Sequence, residues 1–191
     1  MSRLFLVRHG PTHAKSMVGW SDLPADLSDT AAIARLAQHL PEDALVISSD
    51  LIRAVHTADA IQNGRDRLPH DPDLREIHFG EWELKRWVEV NDSDPDHVRA
   101  FWETPGDVAA PGGESWNAVV ARVSGAVDRL MNTHQDRDLV IVAHFGAILT
   151  QIARAEGMSG AQAFGHKIDN LSVSTIRTQP DWGAEVINQV L

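Results

Sequence analysis

The hydrophobic pattern of the chain is dominated by three short apolar runs, each of which ends in a polar or glycine-containing turn. The runs are Leu4–Val7, Ala44–Ile47 and Leu139–Ala143. Continuous apolar runs of this length are typical of strands that are buried on both faces of a parallel sheet. We therefore predict three strands that belong to a largely parallel sheet.

A segment with the start and stop signals of a helix follows each predicted strand. The first of these helices is predicted to begin at a cap formed by Ser28 or Asp29, and the second at a cap formed by Ser49 or Asp50. The third is predicted over residues 147–156, where Gly157 stops it. Strands that alternate with helices predict a sheet covered by helices on both faces.

Three further segments complete the predicted fold. Residues 115–135 carry apolar residues at helical spacing and should form a longer helix. Residues 171–177 alternate apolar and polar residues, and residues 184–190 do so more loosely, which predicts a terminal hairpin at a sheet edge. Residues 77–114 carry no strong strand signal. The prediction is one α/β domain over residues 1–191: three α/β/α layers, a largely parallel central sheet, and a helical insertion (77–114) over the active site.

Composition and charge narrow the classes of function. A length of 191 residues, 43% of them apolar and 23% charged, is ordinary for one globular domain. The chain has no cysteine, which excludes thiolate nucleophiles and cysteine metal sites. Its net charge of −10 disfavours nucleic-acid and anionic-membrane partners, but not a small anion held in a local basic pocket. No apolar stretch matches a signal peptide or a membrane span, so a soluble cytoplasmic protein is expected.

Basic and imidazole side chains stand at the predicted carboxyl ends of the strands. Arg8 and His9 follow the first run, His144 follows the third, and Arg53 comes shortly after the second. Binding sites of open α/β sheets lie at this edge. Guanidinium groups match phosphate oxygens, and a histidine can act as a nucleophile. The residues therefore predict a cationic cup with a histidine nucleophile; His9 is expected at a solvent-facing strand end.

Five sequence blocks resemble the motifs of the histidine phosphatase superfamily, which includes the cofactor-dependent phosphoglycerate mutases. The blocks occur in the family's order between residue 4 and about residue 155. They are Leu6–Thr12 with its Arg-His-Gly tripeptide, Ser48–Ala58, Leu74–Glu76 with Gly80–Glu83, Pro111–Ser115, and Val142–Gly146. One Arg-His-Gly tripeptide is a weak signal, whereas five ordered blocks are a specific one.

The resemblance implies a role for each candidate residue. His9 would attack phosphorus to form a phosphohistidine, and Glu76 would protonate the leaving oxygen and later deprotonate the attacking water. Arg8, Arg53 and His144 would hold the phosphoryl oxygens, which leaves no need for a metal or another cofactor. The acid role requires a carboxyl with a raised pKa, which partial burial of Glu76 would supply.

Four positions differ from the pattern of the superfamily. Pro11 stands where Glu or Gln is common, and Lys15 stands where Asn often helps to bind phosphate. Leu84 and Phe145 replace the usual glycines. Thr12 and Lys15 are kept as candidate substrate-binding residues. These differences leave the identity of the substrate open.

The predicted function is metal-independent hydrolysis of a small phosphorylated metabolite. The compact length favours a phosphatase over a mutase, and the branches of alpha-ribazole phosphatases and broad-specificity phosphatases look most similar. One alternative is a phosphotransferase of the phosphoglycerate mutase type. Another is a non-catalytic module that binds a phosphorylated ligand, although a pure binder has no use for the acid Glu76. The sequence indicates neither an oligomeric state nor a role for Glu114.

Overall fold

A computed structural model describes residues 2–191, in which five strands form one sheet. The order across the sheet is β2-β3-β1-β4-β5. β3 lies between β2 and β1 and pairs in parallel with both, while β4 and β5 add an antiparallel edge. The predicted parallel strands and terminal hairpin are therefore confirmed. The strands are β1 (Arg3–Arg8), β2 (Leu45–Ser48), β3 (Leu139–Ala143), β4 (Val173–Arg177) and β5 (Gly183–Gln189).

Residues 2–191 also contain seven α-helices and two 3-10 turns. The 3-10 turns are Pro72–Leu74 and Gly80–Trp82. The helices are α1 (Thr30–His39), α2 (Ile52–Ile61), α3 (Trp87–Ser93), α4 (Pro95–Glu103), α5 (Trp116–Thr133), α6 (Phe145–Glu156) and α7 (Gly160–Phe164). None of the helices described in residues 2–191 combines the length and the apolar character needed to cross a membrane.

The two faces of the sheet carry separate apolar layers, because successive side chains of a strand point to opposite faces. Phe5 and Val7 of β1 pack in one cluster with the buried residues of α1 and α2. Leu4 and Leu6 pack in the other cluster, with residues of α5, α6 and the 77–114 segment. The predicted three-layer α/β/α arrangement is confirmed, while the assignment of residues 1–191 to one domain stays a prediction.

The start of α2 differs from the sequence-based expectation. Asp29 caps α1 as predicted, but neither Ser49 nor Asp50 caps α2. The Ser49 hydroxyl lies against His144, and Asp50 is paired with Arg75. Instead, the Asp22 carboxylate accepts a hydrogen bond of 2.7 Å from the Ile52 amide at the first turn of α2.

The segment predicted as a helical insertion contains α3, α4 and the 3-10 turn at residues 80–82. Its Phe101 ring packs edge to face against both Trp82 and Trp102. Leu84 lies in the left-handed region with φ of 61°, a conformation that favours glycine. The exposed leucine at this position therefore adopts a conformation that a glycine would reach at lower cost.

Candidate active site

Three parallel strands end side by side and bring their following residues together. His9 follows β1, His144 follows β3, and Ser49 follows β2. The sheet hydrogen bonding continues past the strand ends, since the His9 amide donates to Ala143 and the Ser49 amide donates to Val142. The ring centroids of His9 and His144 are 5.0 Å apart. The convergence inferred from the strand ends is therefore present.

His9 is held in one tautomer. Its Nδ1 lies 2.6 Å from the carbonyl oxygen of Gly10, which only accepts, so Nδ1 carries the proton. Its Nε2 keeps a lone pair and lies 3.3 Å from the Nε donor of Arg53. Burial, together with the charges of Arg53 and Arg8, lowers the pKa of His9 to about 3. His9 is thus a neutral imidazole with Nε2 available as a nucleophile.

The expectation of a solvent-facing His9 is wrong, because only 6% of the surface of this residue is exposed. Arg53 covers the ring, and the Arg53 guanidinium donates hydrogen bonds of 2.6 Å to the Gly19 carbonyl and 2.9 Å to the Ser21 carbonyl. Asn170 also donates a hydrogen bond of 2.8 Å to the His9 carbonyl. Arg53 therefore links the loop at residues 19–21 to His9 at the end of β1.

Glu83 holds that loop in place. Its carboxylate accepts hydrogen bonds from the amides of Gly19, Trp20 and Ser21 and from the Ser21 hydroxyl. Burial alone would raise the pKa of Glu83, but these hydrogen bonds lower it on balance. Glu83 is therefore an ionised, structural carboxylate rather than a proton donor.

Glu76 approaches the same cluster from the segment after the first 3-10 turn. Its carboxylate accepts hydrogen bonds of 2.9 Å from the Ile77 amide and of 2.9 and 3.1 Å from the Gly146 amide. Burial raises the pKa of Glu76, although those amides and the charges of Arg53 and Arg8 oppose the rise. The environment therefore favours a protonated carboxyl group.

Two buried nitrogen atoms of the cluster have no hydrogen-bond partner. Four buried side-chain atoms within residues 2–191 lack a hydrogen-bond partner, and Arg8 Nε and His144 Nδ1 are two of them. A buried polar group without a partner costs about 1–3 kcal/mol, so such groups need an explanation. Arg8 also donates from Nη1 to the Ile168 carbonyl at 2.5 Å and lies over the Phe145 ring. Arg8 Nε, and His144 Nδ1 where it carries a proton, could donate beside the neutral His9 ring to the oxygen atoms of an anion.

Comparison with known sequences identifies the family. A sequence model of the histidine phosphatase superfamily (branch 1) matches residues 4–188. The chain belongs to the histidine phosphatase superfamily.

Relatives within the superfamily are named as phosphatases. The adenosylcobalamin/alpha-ribazole phosphatase of Salmonella typhimurium is 33% identical over 175 residues, which cover 87% of this chain and 86% of that protein. The metal-independent phosphoserine phosphatase of Arabidopsis thaliana is 30% identical over 185 residues, or 92% and 76% of the two chains. The solved structure of Bacillus stearothermophilus YhfR superposes with a TM-score of 0.91 at 28% identity, covering 100% of this chain and 98% of that one. The predicted family and phosphatase class are confirmed.

The remaining candidates of this histidine phosphatase are Thr12, Lys15 and Glu114. No hydrogen bond or ion pair described for residues 2–191 joins Thr12 or Lys15 to the cluster, and Lys15 is exposed. Their substrate-binding roles stay predictions. Glu114 forms a bidentate pair with Arg122, which in turn donates to the backbone carbonyl of Glu76. Glu114 therefore supports the segment that carries Glu76.

Sequence reasoning missed several residues that shape this histidine phosphatase site. Asn170 and Arg122 come from distant parts of the chain, and no local pattern marks them. Glu83 lies within a motif, yet the pattern does not tell a structural carboxylate from an acid. Ser49 was interpreted as a helix cap, although its position directly after β2, like that of His9 after β1, was a signal for the site.

Proposed function

We propose that the protein hydrolyses phosphomonoesters of small metabolites through a phosphohistidine on His9. One observation carries the proposal. The Nε2 lone pair of neutral His9 stands in a cluster with two buried nitrogen atoms, Arg8 Nε and His144 Nδ1, that have no hydrogen-bond partner among the described residues and can act as donors. A phosphoryl group would satisfy both donors and place phosphorus before the nucleophile.

In the first step, His9 Nε2 attacks phosphorus in line with the leaving oxygen. The new N–P bond forms as the P–O bond to the leaving group breaks. Arg8, Arg53 and His144 stabilise the charge on the three equatorial oxygens. Protonated Glu76 gives its proton to the leaving oxygen, so that an alcohol departs rather than an alkoxide.

In the second step, the ionised Glu76 accepts a proton from a water molecule. The oxygen of that water forms a bond to phosphorus, and the bond between phosphorus and His9 Nε2 breaks. Inorganic phosphate leaves, His9 is again neutral, and Glu76 is again protonated. The two steps together consume one water and need no external acid or base.

The substrate is proposed as a class, a small phosphorylated metabolite. The names of the relatives refer to adenosylcobalamin or alpha-ribazole in one protein and to phosphoserine in another, so the leaving group varies within the superfamily. Metal independence is supported by the Arabidopsis relative, which is named as a metal-independent phosphoserine phosphatase. Metal independence and a cytoplasmic location stay predictions.

His9→Ala tests the nucleophile. With p-nitrophenyl phosphate as substrate, turnover should fall by roughly 10³-fold or more, because no other group can form the covalent intermediate. Rapid quenching of the wild type with a labelled phosphomonoester should trap an acid-labile, base-stable adduct on His9. The exposed His39 in α1 provides the matched control, and His39→Ala should keep the wild-type rate.

Three outcomes would contradict this proposal. Substantial turnover by His9→Ala would remove the nucleophile assignment. Loss of activity in EDTA, restored by a divalent ion, would replace the mechanism by metal-assisted hydrolysis. A requirement for priming by a bisphosphorylated sugar acid would favour the mutase-type alternative.

A further inference from the structure

Ser49 makes a close and fully buried contact with His144. The Ser49 Oγ lies 2.6 Å from the His144 Nε2, and neither residue has any exposed surface. Ser49 follows β2 and His144 follows the adjacent β3, so the sheet itself sets their separation. The contact therefore lies at the same edge of the sheet as His9.

The number of protons available to the Ser49 hydroxyl decides which atom of this contact is the donor. The Leu51 amide donates to Ser49 Oγ at 3.4 Å, so the oxygen acts as an acceptor on that side. A hydroxyl has one proton to give, and His144 Nε2 is the only acceptor described for it in residues 2–191. If Nε2 instead donated to Ser49, the hydroxyl proton would be buried without a partner. The arrangement with full pairing has Ser49 donating to Nε2, which puts the proton of a neutral ring on Nδ1.

The surroundings keep His144 neutral. Burial lowers its pKa well below the usual value, and Arg53, His9, Arg8 and Arg122 lower it further. Glu76, the buried carboxyl of the cluster, is itself driven towards its protonated form. A neutral imidazole has a single N–H group, so its tautomer decides which nitrogen can donate. The nitrogen left with the proton is Nδ1, which is the buried atom without a partner.

We propose that Ser49 is a positioning residue that fixes the tautomer of His144, so that the neutral ring donates its Nδ1 proton to a phosphoryl oxygen. The inference rests on the proposed function, because it takes a phosphoryl group as the acceptor. A neutral donor has a chemical advantage at this place. The His9 ring gains positive charge as its N–P bond forms, and a cationic His144 ring 5.0 Å away would oppose that change.

Nitrogen NMR tests the tautomer directly. In protein labelled with ¹⁵N-histidine, the His144 signals are assigned by their loss in His144→Gln, and the carbon-bound ring protons tell Nδ1 from Nε2. At pH 7 the wild type should show a protonated Nδ1 and an unprotonated Nε2. Vanadate, used as the oxyanion probe, should shift the Nδ1 proton. In Ser49→Ala the two tautomers should mix.

Kinetics with Ser49→Ala test the consequence for the reaction. Removing a group that orients a catalytic ring typically lowers activity about 10- to 100-fold, and we expect that loss mainly in kcat. Ser49→Thr keeps the hydroxyl and should restore much of the rate. The matched control is Ser48→Ala, since Ser48 is equally buried but contacts Arg67 and His70 instead of the cluster. Its kcat should stay close to that of the wild type.

A wild-type His144 that carries its proton on Nε2, or on both nitrogens, would overturn the inference. So would equal kcat losses in Ser49→Ala and Ser48→Ala, because the effect would then come from packing. If Ser49→Ala does not fold, the wild-type spectrum and Ser49→Thr still decide. A wild type that hydrolyses no phosphomonoester would instead refute the proposed function, while the spectrum would still report the tautomer.

Discussion

At the scale of single residues, Glu76 is subject to opposing influences. Burial raises its pKa, while two backbone amides and two arginines act in the opposite direction. The proposed reaction needs both protonation states in turn, a neutral acid in the first step and a carboxylate base in the second. A carboxyl group whose pKa is raised by burial and lowered by neighbouring donors can serve both steps with little rearrangement of its hydrogen bonds.

Glu76→Gln should separate substrates by their leaving groups. The variant keeps the size of the side chain and removes the transferable proton. Turnover of an alkyl phosphate should fall by about 10²–10⁴-fold, the usual contribution of general acid catalysis. Phosphoryl transfer from p-nitrophenyl phosphate should survive much better, because nitrophenolate leaves without protonation. Since the second step also needs Glu76, stopped-flow absorbance should show a burst of nitrophenol.

The control for this prediction is Glu81→Gln, which changes an exposed carboxylate of the same sequence block. Both substrates should be turned over by that variant at wild-type rates. Equal losses for the two substrates in Glu76→Gln, without a burst, would show that Glu76 only shapes the pocket.

The candidate residues that sequence alone could find are those that follow a strand or lie in a motif. Arg8, His9 and His144 stand at the ends of apolar runs, so their meeting follows from the geometry of a parallel sheet. The sequence does not reveal the partners that hold His9 and Glu76, because Asn170 lies 161 residues from His9 along the chain and Arg122 lies 46 residues from Glu76. Hydrogen bonds between residues so far apart along the chain produce no periodic pattern in the sequence.

At the scale of elements, the first turn of α6 links the catalytic candidates. The helix begins at Phe145, directly after His144, and its Gly146 amide binds the carboxylate of Glu76. A Cβ atom at Gly146 would lie 2.5 Å from Glu76 Oε1 and 2.7 Å from a side-chain carbon of Ile77. The glycine is therefore needed for the close approach of the carboxylate to the helix.

Gly146→Ala should displace Glu76 while the helix stays folded. We expect turnover of alkyl phosphates to fall by about 10²-fold, as for partial loss of the acid, with circular dichroism unchanged. The matched control is Gly125→Ala in α5, where the added Cβ meets only the far end of the Arg129 side chain at 3.7 Å. That variant should keep its activity and gain about 0.5–1 kcal/mol of stability in urea unfolding. Full activity in Gly146→Ala would show that the Glu76 position does not depend on this amide.

The sequence predicts the strands and helices whose signals are local, but it does not predict the contacts between them. Apolar runs and helical spacing are properties of neighbouring residues, and the strands and main helices follow from them. The start of α2 depends on Asp22, which lies 30 residues before Ile52. Ser49 and Asp50 carry suitable cap side chains but are drawn to His144 and Arg75, because contacts between elements outweigh a local preference.

At the scale of the whole molecule, an acidic protein with a net charge of −10 encloses histidines that stay neutral. A histidine with a lowered pKa in the folded state binds a proton more readily after unfolding. Its contribution to stability is present above the unfolded pKa of 6.5 and declines as the pH falls towards 3. Glu76, with a raised pKa, acts in the opposite direction.

His9→Gln should make the stability of the protein less sensitive to acid. In phosphate-free buffer, lowering the pH from 7 to 5 should reduce the free energy of unfolding of the wild type by about 2 kcal/mol more than that of the variant. The comparison isolates His9, because Glu76 and His144 are present in both proteins. Urea unfolding at the two pH values measures the difference, and the exposed His39→Gln should behave like the wild type. Equal slopes for His9→Gln and the wild type would mean that His9 is protonated in the folded protein.

The position of β1 in the sheet also has a consequence for the order in which the chain becomes structured during synthesis. β1 leaves the ribosome before its two neighbours in the sheet, β3 and β4, which begin only at Leu139 and Val173. Until those segments emerge, the apolar residues 4–7 have no strand to pair with, and such surfaces are prone to aggregation. In the nascent chain, β1 therefore stays unpaired until the segments that begin at Leu139 and Val173 have been made, and a chain that stalls before residue 139 should depend on chaperones to stay soluble.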